Sequence, residues 1–267
     1  MRDKNQYKRI LAIFICFLII PLGVLLIWSF SKNWSWPNVF PSKFGLRGWE
    51  YFFDSSSNSI NILFFSICLS LVVTFFTLII TIPAAKALSF YEFKGKKIIE
   101  LLIYAPIIVP PVAVAMGIHF QFIKIGLANT FIGVVLVHII PCIPYSVRIL
   151  KSVFELMGRN IEEEALDLGA NRLQCYIYIT LPLILPGVLS AGSIVFIVSF
   201  SQYFLTFLIG GGRVVTFSML MFPFIQSGDR MIASVYSIVF IVTTVVVLFI
   251  VEKMTYKFYR DVKRWYL

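Results

Sequence analysis

Long stretches without a charged side chain constrain this chain more than any other feature. Residues 10–31, 59–85 and 231–251 contain no Asp, Glu, Lys or Arg over 22, 27 and 21 residues. A helix rises about 1.5 Å per residue, so about 20 apolar residues cross a hydrocarbon core about 30 Å thick. These stretches therefore predict membrane-spanning helices.

The composition agrees with a membrane environment. Hydrophobic residues make up 59% of the chain and charged residues only 13%, whereas soluble domains carry about 25% charged residues. The net charge is +10, but the basic residues lie in short hydrophilic segments between apolar stretches. A nucleic-acid-binding protein clusters them on one face. We therefore predict the lipid bilayer as a partner and no nucleic acid.

Further apolar stretches raise the expected number of spans to six. A cleavable signal peptide has an apolar region of about 7–15 residues, so the longer first stretch predicts a retained span. Residues 214–226 form an apolar run of 13 residues, too short to cross, which favours a re-entrant or interfacial segment. The predicted spans are about residues 10–31, 59–85, 101–123, 128–147, 183–205 and 231–251.

The third predicted span carries three prolines, Pro106, Pro110 and Pro111. Prolines free backbone carbonyls, which are tolerated inside a membrane only beside protein or a wet cavity. We therefore expect this span to face neighbouring helices or a pathway.

The distribution of basic residues predicts the orientation. With six spans and both termini inside, 17 of the 23 Lys and Arg residues lie on the cytoplasmic side. The positive-inside bias favours this arrangement. It places the polar loop of residues 148–181 in the cytoplasm.

Aromatic residues are frequent in the connection between the first two spans, residues 32–58. Tryptophan and tyrosine favour the headgroup zone, where an apolar ring keeps a wet edge. An interfacial role is favoured, and a carbohydrate-stacking surface is the alternative. The residues are Trp34, Trp36, Trp49 and Tyr51.

His119 and His138 are the two histidines, and both fall in predicted spans. An ionisable group inside a membrane is a candidate functional residue, but a neutral histidine bonded to a backbone carbonyl is the commoner outcome. The four cysteines show no metal-ligand spacing and are interpreted as small hydrophobic residues.

The polar loop before the fifth span has a distinct local pattern. Glu164-Ala165-Leu166-Asp167-Leu168-Gly169-Ala170 is followed, after nine residues from Gly169, by Ile179-Thr180-Leu181-Pro182. Helix formers with acids at the front predict a short helix over residues 160–168. Gly169 suits a left-handed cap, and a second helix can begin near Asn171. Pro182 and Pro186 suggest that the chain re-enters a helix there.

This loop resembles the "EAA" loop of the permease subunits of bacterial ATP-binding cassette (ABC) importers. Matching residues are Glu164, Ala165, Gly169, Ile179, Leu181 and Pro182; Leu166 stands where the family has a second alanine. The resemblance covers nearly the whole chain, including Trp49–Phe53 before the second span. It implies an all-α polytopic membrane protein of the type I importer-permease kind, with six transmembrane helices in a single domain over residues 1–267.

The same resemblance implies the partners. Two permease subunits, homologous or identical, would form the pathway, and two cytoplasmic ATPase subunits would bind ATP and Mg²⁺. An extracytoplasmic binding protein would deliver the solute. The chain itself would be no enzyme, hold no cofactor and lie in the bacterial inner membrane. The residues expected to couple to the ATPase are Glu164, Ala165, Asp167, Gly169, Ala170, Leu181 and Pro182.

The layout is most similar to permeases of the spermidine/putrescine type, which implies a small hydrophilic solute such as a polyamine. Those permeases commonly have Asp-Asp where this chain has Ser201-Gln202, which argues against a polycation. Iron, thiamine, phosphonate or a sulfate-like anion remain alternatives. Candidates for lining the pathway, or for bonding helix to helix, are Ser199, Ser201, Gln202, Tyr203 and Thr206.

Two other classes of function were compared with this interpretation. An intramembrane enzyme needs a converging acid/base pair, a Ser/His arrangement or metal ligands. A passive channel needs rings of like charges or a filter motif. The sequence shows none of these patterns, so we predict neither catalytic nor metal-binding residues.

The orientation is testable by cysteine accessibility. In a chain whose four native cysteines are replaced by serine, Arg172→Cys should react with a membrane-impermeant maleimide only from the cytoplasmic side, because position 172 lies in the predicted inner loop. Labelling is measured in intact cells and in inverted vesicles. Reaction in intact cells would overturn the predicted orientation.

Overall fold

The computed structural model describes residues 2–34, 38 and 40–265. Most of them are helical. The helices are α1 Arg2–Ser29, α2 Arg47–Phe53, α3 Ser59–Phe90, α4 Lys96–Ile108, α5 Pro111–Lys124, α6 Phe131–Met157, α7 Asn160–Asp167, α8 Arg172–Cys175, α9 Leu181–Phe200, α10 Phe204–Gly210, α11 Phe217–Ser227 and α12 Arg230–Trp265. A 3₁₀ turn covers Ser55–Ser57, and a π-helical turn covers Tyr176–Thr180.

A small antiparallel hairpin follows α1. It pairs β1, Ser31–Asn33, with β2, Lys43–Phe44. The hairpin and α2 lie in the predicted aromatic connection. Trp36, one of the predicted interfacial residues, lies outside the described residues.

Among the described residues, five helical stretches are long and apolar enough to cross a membrane, or six if one bent pair counts as a span. This confirms the prediction of an all-α, multi-span protein. The stretches are Tyr7–Ser29, Ser59–Phe90, Phe131–Met157, Arg172–Phe200 and Arg230–Lys257, and the bent pair is formed by α4 and α5.

The bent pair differs from the single third span, residues 101–123, that the hydropathy suggests. The chain bends by 103° between the two helices. Val109 is extended, with φ −77° and ψ 135°, because a residue before proline is disfavoured in the helical region. Pro111 then opens α5, since it needs no hydrogen-bond acceptor in a first turn. The prolines therefore divide this segment.

Several helices also extend past the apolar stretches that predicted them. α3 continues to Phe90, α6 to Met157 and α12 to Trp265. The added residues of α6 include charged helix formers such as Lys151, and the helix ends at Gly158, which has φ +74°. Hydropathy marks the lipid-facing part of a helix, whereas its end is set by the capping residue.

Contacts divide the chain into two units. Unit one contains Met1–Leu63 and Met219–Thr243, and unit two contains Phe64–Ser218 and Thr244–Leu267. In unit one, the Tyr236 ring is fully buried and lies edge-on to Phe52, 5.5 Å between centroids. Its hydroxyl also bonds Ser59. Tyr236 therefore joins α2, the start of α3 and α12.

Unit two is built around α6, whose buried residues lie on all sides of the helix. Thr81 of α3 and Ser146 of α6 share a hydroxyl hydrogen bond of 2.6 Å. One buried cluster includes Val73, Val137, Cys142, Val195 and Ile209. A second includes Ala85, Leu150, Phe154, Ile184 and Ala191. Both clusters bring α3, α6 and α9 together.

The close packing of α6 on α9 gives a stability prediction. A Cβ atom at Gly187 would lie 2.5 Å from Cγ2 of Val153, and valine has a stiff χ1. Gly187→Ala should therefore lower stability by about 1–3 kcal/mol through overpacking, measured by thermal unfolding of the solubilised chain.

Gly192→Ala is the matched control on the same helix, because its Cβ would find ordinary contacts at 3.4 Å. It should leave stability unchanged or raise it slightly. Adding Val153→Ala to Gly187→Ala should restore part of the loss. Equal effects of the two alanine variants would contradict this packing.

Candidate functional site

The chain between α6 and α9 folds into two short helices, and we call residues 159–179 the two-helix segment. α7 ends at Asp167, and Gly169, two residues later, has φ +91°, a region that glycine enters without steric cost. The Gly169 and Ala170 N–H groups donate to the carbonyls of Leu166 and Ala165, each at 3.0 Å. These bonds satisfy orphan carbonyls at the end of α7.

α8 begins with a reciprocal capping box. The Asn171 side chain accepts from the Gln174 N–H at 2.8 Å, and the Gln174 side chain accepts from the Asn171 N–H at 2.9 Å. Two orphan donors are thereby satisfied. The bend at Gly169 and the helix start near Asn171 are both as the sequence predicts.

Glu162 attaches the two-helix segment to the rest of unit two. Its Oε1 accepts from Lys86 Nζ of α3 at 2.7 Å and also from the Thr180 hydroxyl. The Glu162 side chain is only 13% exposed. Hydrogen bonds to charged groups contribute about 1.5–3 kcal/mol. One carboxylate therefore holds α3, α7 and the base of α9 together.

A second contact fixes the segment beside α3. The Arg159 guanidinium lies 5.3 Å from the ring centre of Tyr91, and its Nε pairs with Glu163 at 2.7 Å. The Lys86 ammonium lies 6.0 Å from the rings of Phe90 and Tyr176. These groups line a cavity of about 470 Å³. The segment is thus held from both sides at the end of α3.

Sequence reasoning noted Glu162 only as an acid near a helix start. Its partner Lys86 lies 76 residues away, and no local pattern links the two. Thr180 is 18 residues from Glu162, beyond the reach of helix periodicity. The pairing could not be found from the sequence.

The coupling residues expected from the sequence occupy different surfaces. Glu164, Asp167 and Gly169 are exposed at the bend, whereas Ala165 is buried against the segment's own core. Ala170, Leu181 and Pro182 are half-buried. Leu168, at the tip of the bend, is 89% exposed. The sequence list thus includes exposed, enclosed and partly buried positions.

Pro182 lies in the first turn of α9, as the sequence predicts, but the helical backbone is already continuous before it. Helical backbone runs without interruption from Arg172 to Phe200, and Thr180 is itself helical, with φ −63° and ψ −53°. The Leu181 N–H donates to the Tyr176 carbonyl, five residues back. The π-helical turn is followed directly by α9. Pro182 is tolerated there although it has no N–H to donate.

A second polar cluster surrounds His138 inside unit two. The ring is fully buried, with Nδ1 3.1 Å from Ser199 Oγ and Nε2 2.8 Å from Thr206 Oγ1. The Thr206 hydroxyl donates to the Gln202 carbonyl at 2.9 Å. Nε2 therefore donates to Thr206, and Nδ1 accepts from Ser199. This is a neutral imidazole that joins α6, α9 and α10.

The candidate pathway residues separate into two groups. Ser199 and Thr206 are enclosed around His138, which matches helix-to-helix bonding. Gln202 lines a cavity of about 280 Å³ whose other walls are largely apolar. Ser201 donates to the Val198 carbonyl, and Tyr203 stacks on Phe207. Pathway lining stays a prediction for Ser201, Gln202 and Tyr203.

No three His, Cys, Asp or Glu side chains within residues 2–34, 38 and 40–265 converge on a position that could hold a metal ion. His119 takes no part in the His138 cluster. Its Nδ1 is buried without a hydrogen-bond partner in the described part of the chain.

Comparison with known families identifies the chain. The model of the binding-protein-dependent transport system inner membrane component matches residues 77–264, well over half of the chain. The chain belongs to this family. The matched region contains both the two-helix segment and the His138 cluster, so both are features of an inner membrane component.

The curated relatives of this chain are named for different transported compounds. This chain is 28% identical over 154 residues to the putrescine transport system permease protein PotI of Escherichia coli (strain K12), and the match covers 55% of each chain. It is 32% identical over 139 residues to the trehalose/maltose transport system permease protein MalG of Thermococcus litoralis, covering 52% of this chain and 50% of MalG. The chain thus spans about half the length of these relatives.

The fold matches a solved chain along nearly its full length. That chain belongs to a bacterial ABC transporter involved in the import of the acidic polysaccharide alginate. The TM-score is 0.69 at 17% identity, and the match covers 95% of this chain and 98% of the other. The importer-permease fold predicted from the sequence is confirmed.

The role of Glu162 is testable through stability. Glu162→Ala leaves Lys86 without its carboxylate and removes the acceptor of Thr180, so we expect a loss of about 1–3 kcal/mol in thermal unfolding. Glu162→Gln keeps an acceptor but loses the charge, and should lie between the alanine variant and the parent chain.

Glu163→Ala is the control, because the Arg159–Glu163 pair is 51% exposed on each side and exposed pairs contribute about 1 kcal/mol or less. Equal losses for the two alanine variants would show that Glu162 does not join the helices as described.

Proposed function

We propose that the chain is the membrane-spanning subunit of an ATP-driven importer, and that the two-helix segment receives force from a cytoplasmic ATPase subunit. Membership of the family supports the first part. The second part, the coupling to an ATPase subunit, is carried by one observation: the tip of the two-helix segment is exposed, while the rest of the segment is attached to unit two.

The tip has the properties of a docking element. Leu168 is almost fully exposed, and Leu173 and Tyr178 of the same segment are also exposed. Three large apolar side chains on so short a polar segment suit burial in a partner's pocket. Such anchors contribute most of the binding energy of an interface. Gly169 adds no side-chain bulk at the bend, so a partner can approach the backbone closely.

The attachment of the segment explains how a push at the tip would reach the spans. Glu162 connects α7 to Lys86 on α3 and to Thr180 at the base of α9, and Arg159 contacts Tyr91 just after α3. The continuous helix from Arg172 to Phe200 adds a direct mechanical connection. A displaced tip would therefore move α3 and α9 together, as in rigid-body gating.

The proposed assembly follows from this role. A second permease subunit, identical or homologous, would complete the pathway, and each subunit would receive one of two ATPase chains that bind ATP and Mg²⁺. A binding protein would deliver solute on the outer side of the bacterial inner membrane. Both termini and the two-helix segment would then be cytoplasmic.

The solute is proposed to be a small hydrophilic molecule. A putrescine permease among the relatives supports a polyamine or a related compound. Against a polycation, Gln202 is an amide where polyamine permeases commonly carry a carboxylate, and none of the described residues that line its cavity is acidic. A neutral or weakly charged solute suits this wall better.

Leu168→Asp tests the proposed function. Because Leu168 is exposed, the change should leave the stability of the chain within about 0.5 kcal/mol. It should weaken the ATPase complex by about 30-fold, the effect of losing about 2 kcal/mol at an interface anchor. The measurements are co-purification with the ATPase and uptake of radiolabelled solute.

Leu156→Asp is the matched control, since Leu156 is 87% exposed but lies on α6 outside the two-helix segment. It should retain the complex. Retention of the ATPase by Leu168→Asp, or equal loss with Leu156→Asp, would remove the docking role from the tip.

A further inference from the structure

A cleft of about 700 Å³ lies within unit one, where α1 ends and α12 begins. Its walls come from the end of α1, the hairpin, the start of α2 and the turn before α12. They are aromatic and basic, with one acidic residue. The lining residues that matter below are Trp28, Ser31, Lys32, Arg47, Asp229 and Arg230.

The acidic residue of the cleft is already occupied. Asp229 Oδ2 pairs with Arg47 Nη2 at 2.5 Å, and Asp229 Oδ1 accepts from the Ile232 N–H at 3.3 Å, capping α12. Lys32 and Arg230 have no carboxylate within ion-pair distance in the described part of the chain. The cleft therefore keeps two positive charges that protein groups do not neutralise.

Two neutral donors in the same walls also lack acceptors. Ser31 Oγ and Trp28 Nε1 are buried and have no hydrogen-bond partner among the described residues, and Ser31 is only 7% exposed. A buried polar group without a partner costs about 1–3 kcal/mol. A ligand rich in acceptor oxygens would remove that cost.

The indole is held in a defined orientation. The Arg230 guanidinium lies 5.3 Å from the centre of the Trp28 ring, and Trp34 meets the same ring edge-on at 5.7 Å. These contacts immobilise Trp28 before any ligand arrives. The unpartnered N–H is therefore a preorganised donor.

We propose that this cleft binds a phosphate group, and that the group belongs to an anionic phospholipid headgroup. Two cations without carboxylate partners, a hydroxyl and an indole N–H belong to residues that line the same cleft, and arginine and lysine both bind phosphate oxygens. The cleft lies at the end of the uncharged stretch 10–31, where tryptophans favour headgroup depth. Basic residues at headgroup depth attract anionic lipids. The inference does not depend on the transport role.

The experiment measures ligand-induced stabilisation of the full chain in a neutral detergent. Thermal unfolding is followed with added phosphatidylglycerol, with phosphatidylcholine, and with inorganic phosphate alone. Binding to the folded state raises Tm. Phosphatidylglycerol should raise it more than phosphatidylcholine at the same mole fraction, and native mass spectrometry should count the bound lipid.

Three variants localise the effect. Lys32→Gln with Arg230→Gln should weaken phosphatidylglycerol binding by about tenfold or more, since a charge-assisted hydrogen bond contributes at least that factor. Lys43→Gln removes an exposed charge from the same hairpin outside the cleft and should bind normally. Ser31→Ala should raise Tm without lipid, because it removes an unpartnered hydroxyl, and should shrink the shift produced by lipid.

Each outcome decides the question. Stabilisation by phosphatidylglycerol that the double variant loses and Lys43→Gln keeps supports the headgroup site. If inorganic phosphate alone gives the same variant-sensitive shift, the cleft is a phosphate site but the lipid is not its source, which overturns the headgroup assignment. Equal shifts with both lipids, or equal losses in Lys43→Gln and the double variant, overturn the site altogether.

Discussion

The position of the two-helix segment depends on the hydrogen bonds of one carboxylate, that of Glu162. Helices as short as the two in this segment are not stable alone, so the segment needs contacts with the rest of unit two to hold its position. Glu162 supplies the missing attachment by accepting from Lys86 on α3 and Thr180 at the base of α9. A segment fixed in this way can transmit a displacement, whereas a freely hinged loop would absorb it.

The His138 cluster applies the same principle deeper in the bundle. Apolar packing alone does not distinguish one helix register from another in lipid, so polar side chains that pair across helices supply specificity. His138 connects α6 to Ser199 and Thr206, which lie on either side of the break between α9 and α10. The Gln202 carbonyl, freed by that break, accepts from Thr206 and Ser218. The break between α9 and α10 is thus stabilised by hydrogen bonds, and it places the Gln202 side chain at the wall of a cavity.

Two surfaces in the described part of the chain carry groups whose interactions are not satisfied within it, and these groups indicate binding partners. The tip around Leu168 exposes apolar groups, which suits a protein partner, while the cleft beside Trp28 leaves cations and buried donors without acceptors, which suits an anion. The tip belongs to unit two and the cleft to unit one, and the chemistry of each surface predicts a different kind of partner. Burial of Ser199 and Thr206, by contrast, shows that polar residues in or next to a predicted span can hydrogen-bond within the helix bundle itself.

Much of the fold and part of the site follow from local rules in the sequence. The apolar stretches, the bend at Gly169, the start of α8 at Asn171 and the family resemblance all depend on residues within a few positions of one another or on hydropathy over about 20 residues. The tertiary structure alone decided that Glu162 pairs with Lys86, that Ser199 and Thr206 enclose His138, and that the helical backbone is continuous through Pro182. Those outcomes depend on which groups three-dimensional packing brings within hydrogen-bonding distance, and separations of 60 or more residues leave no periodic trace in the chain.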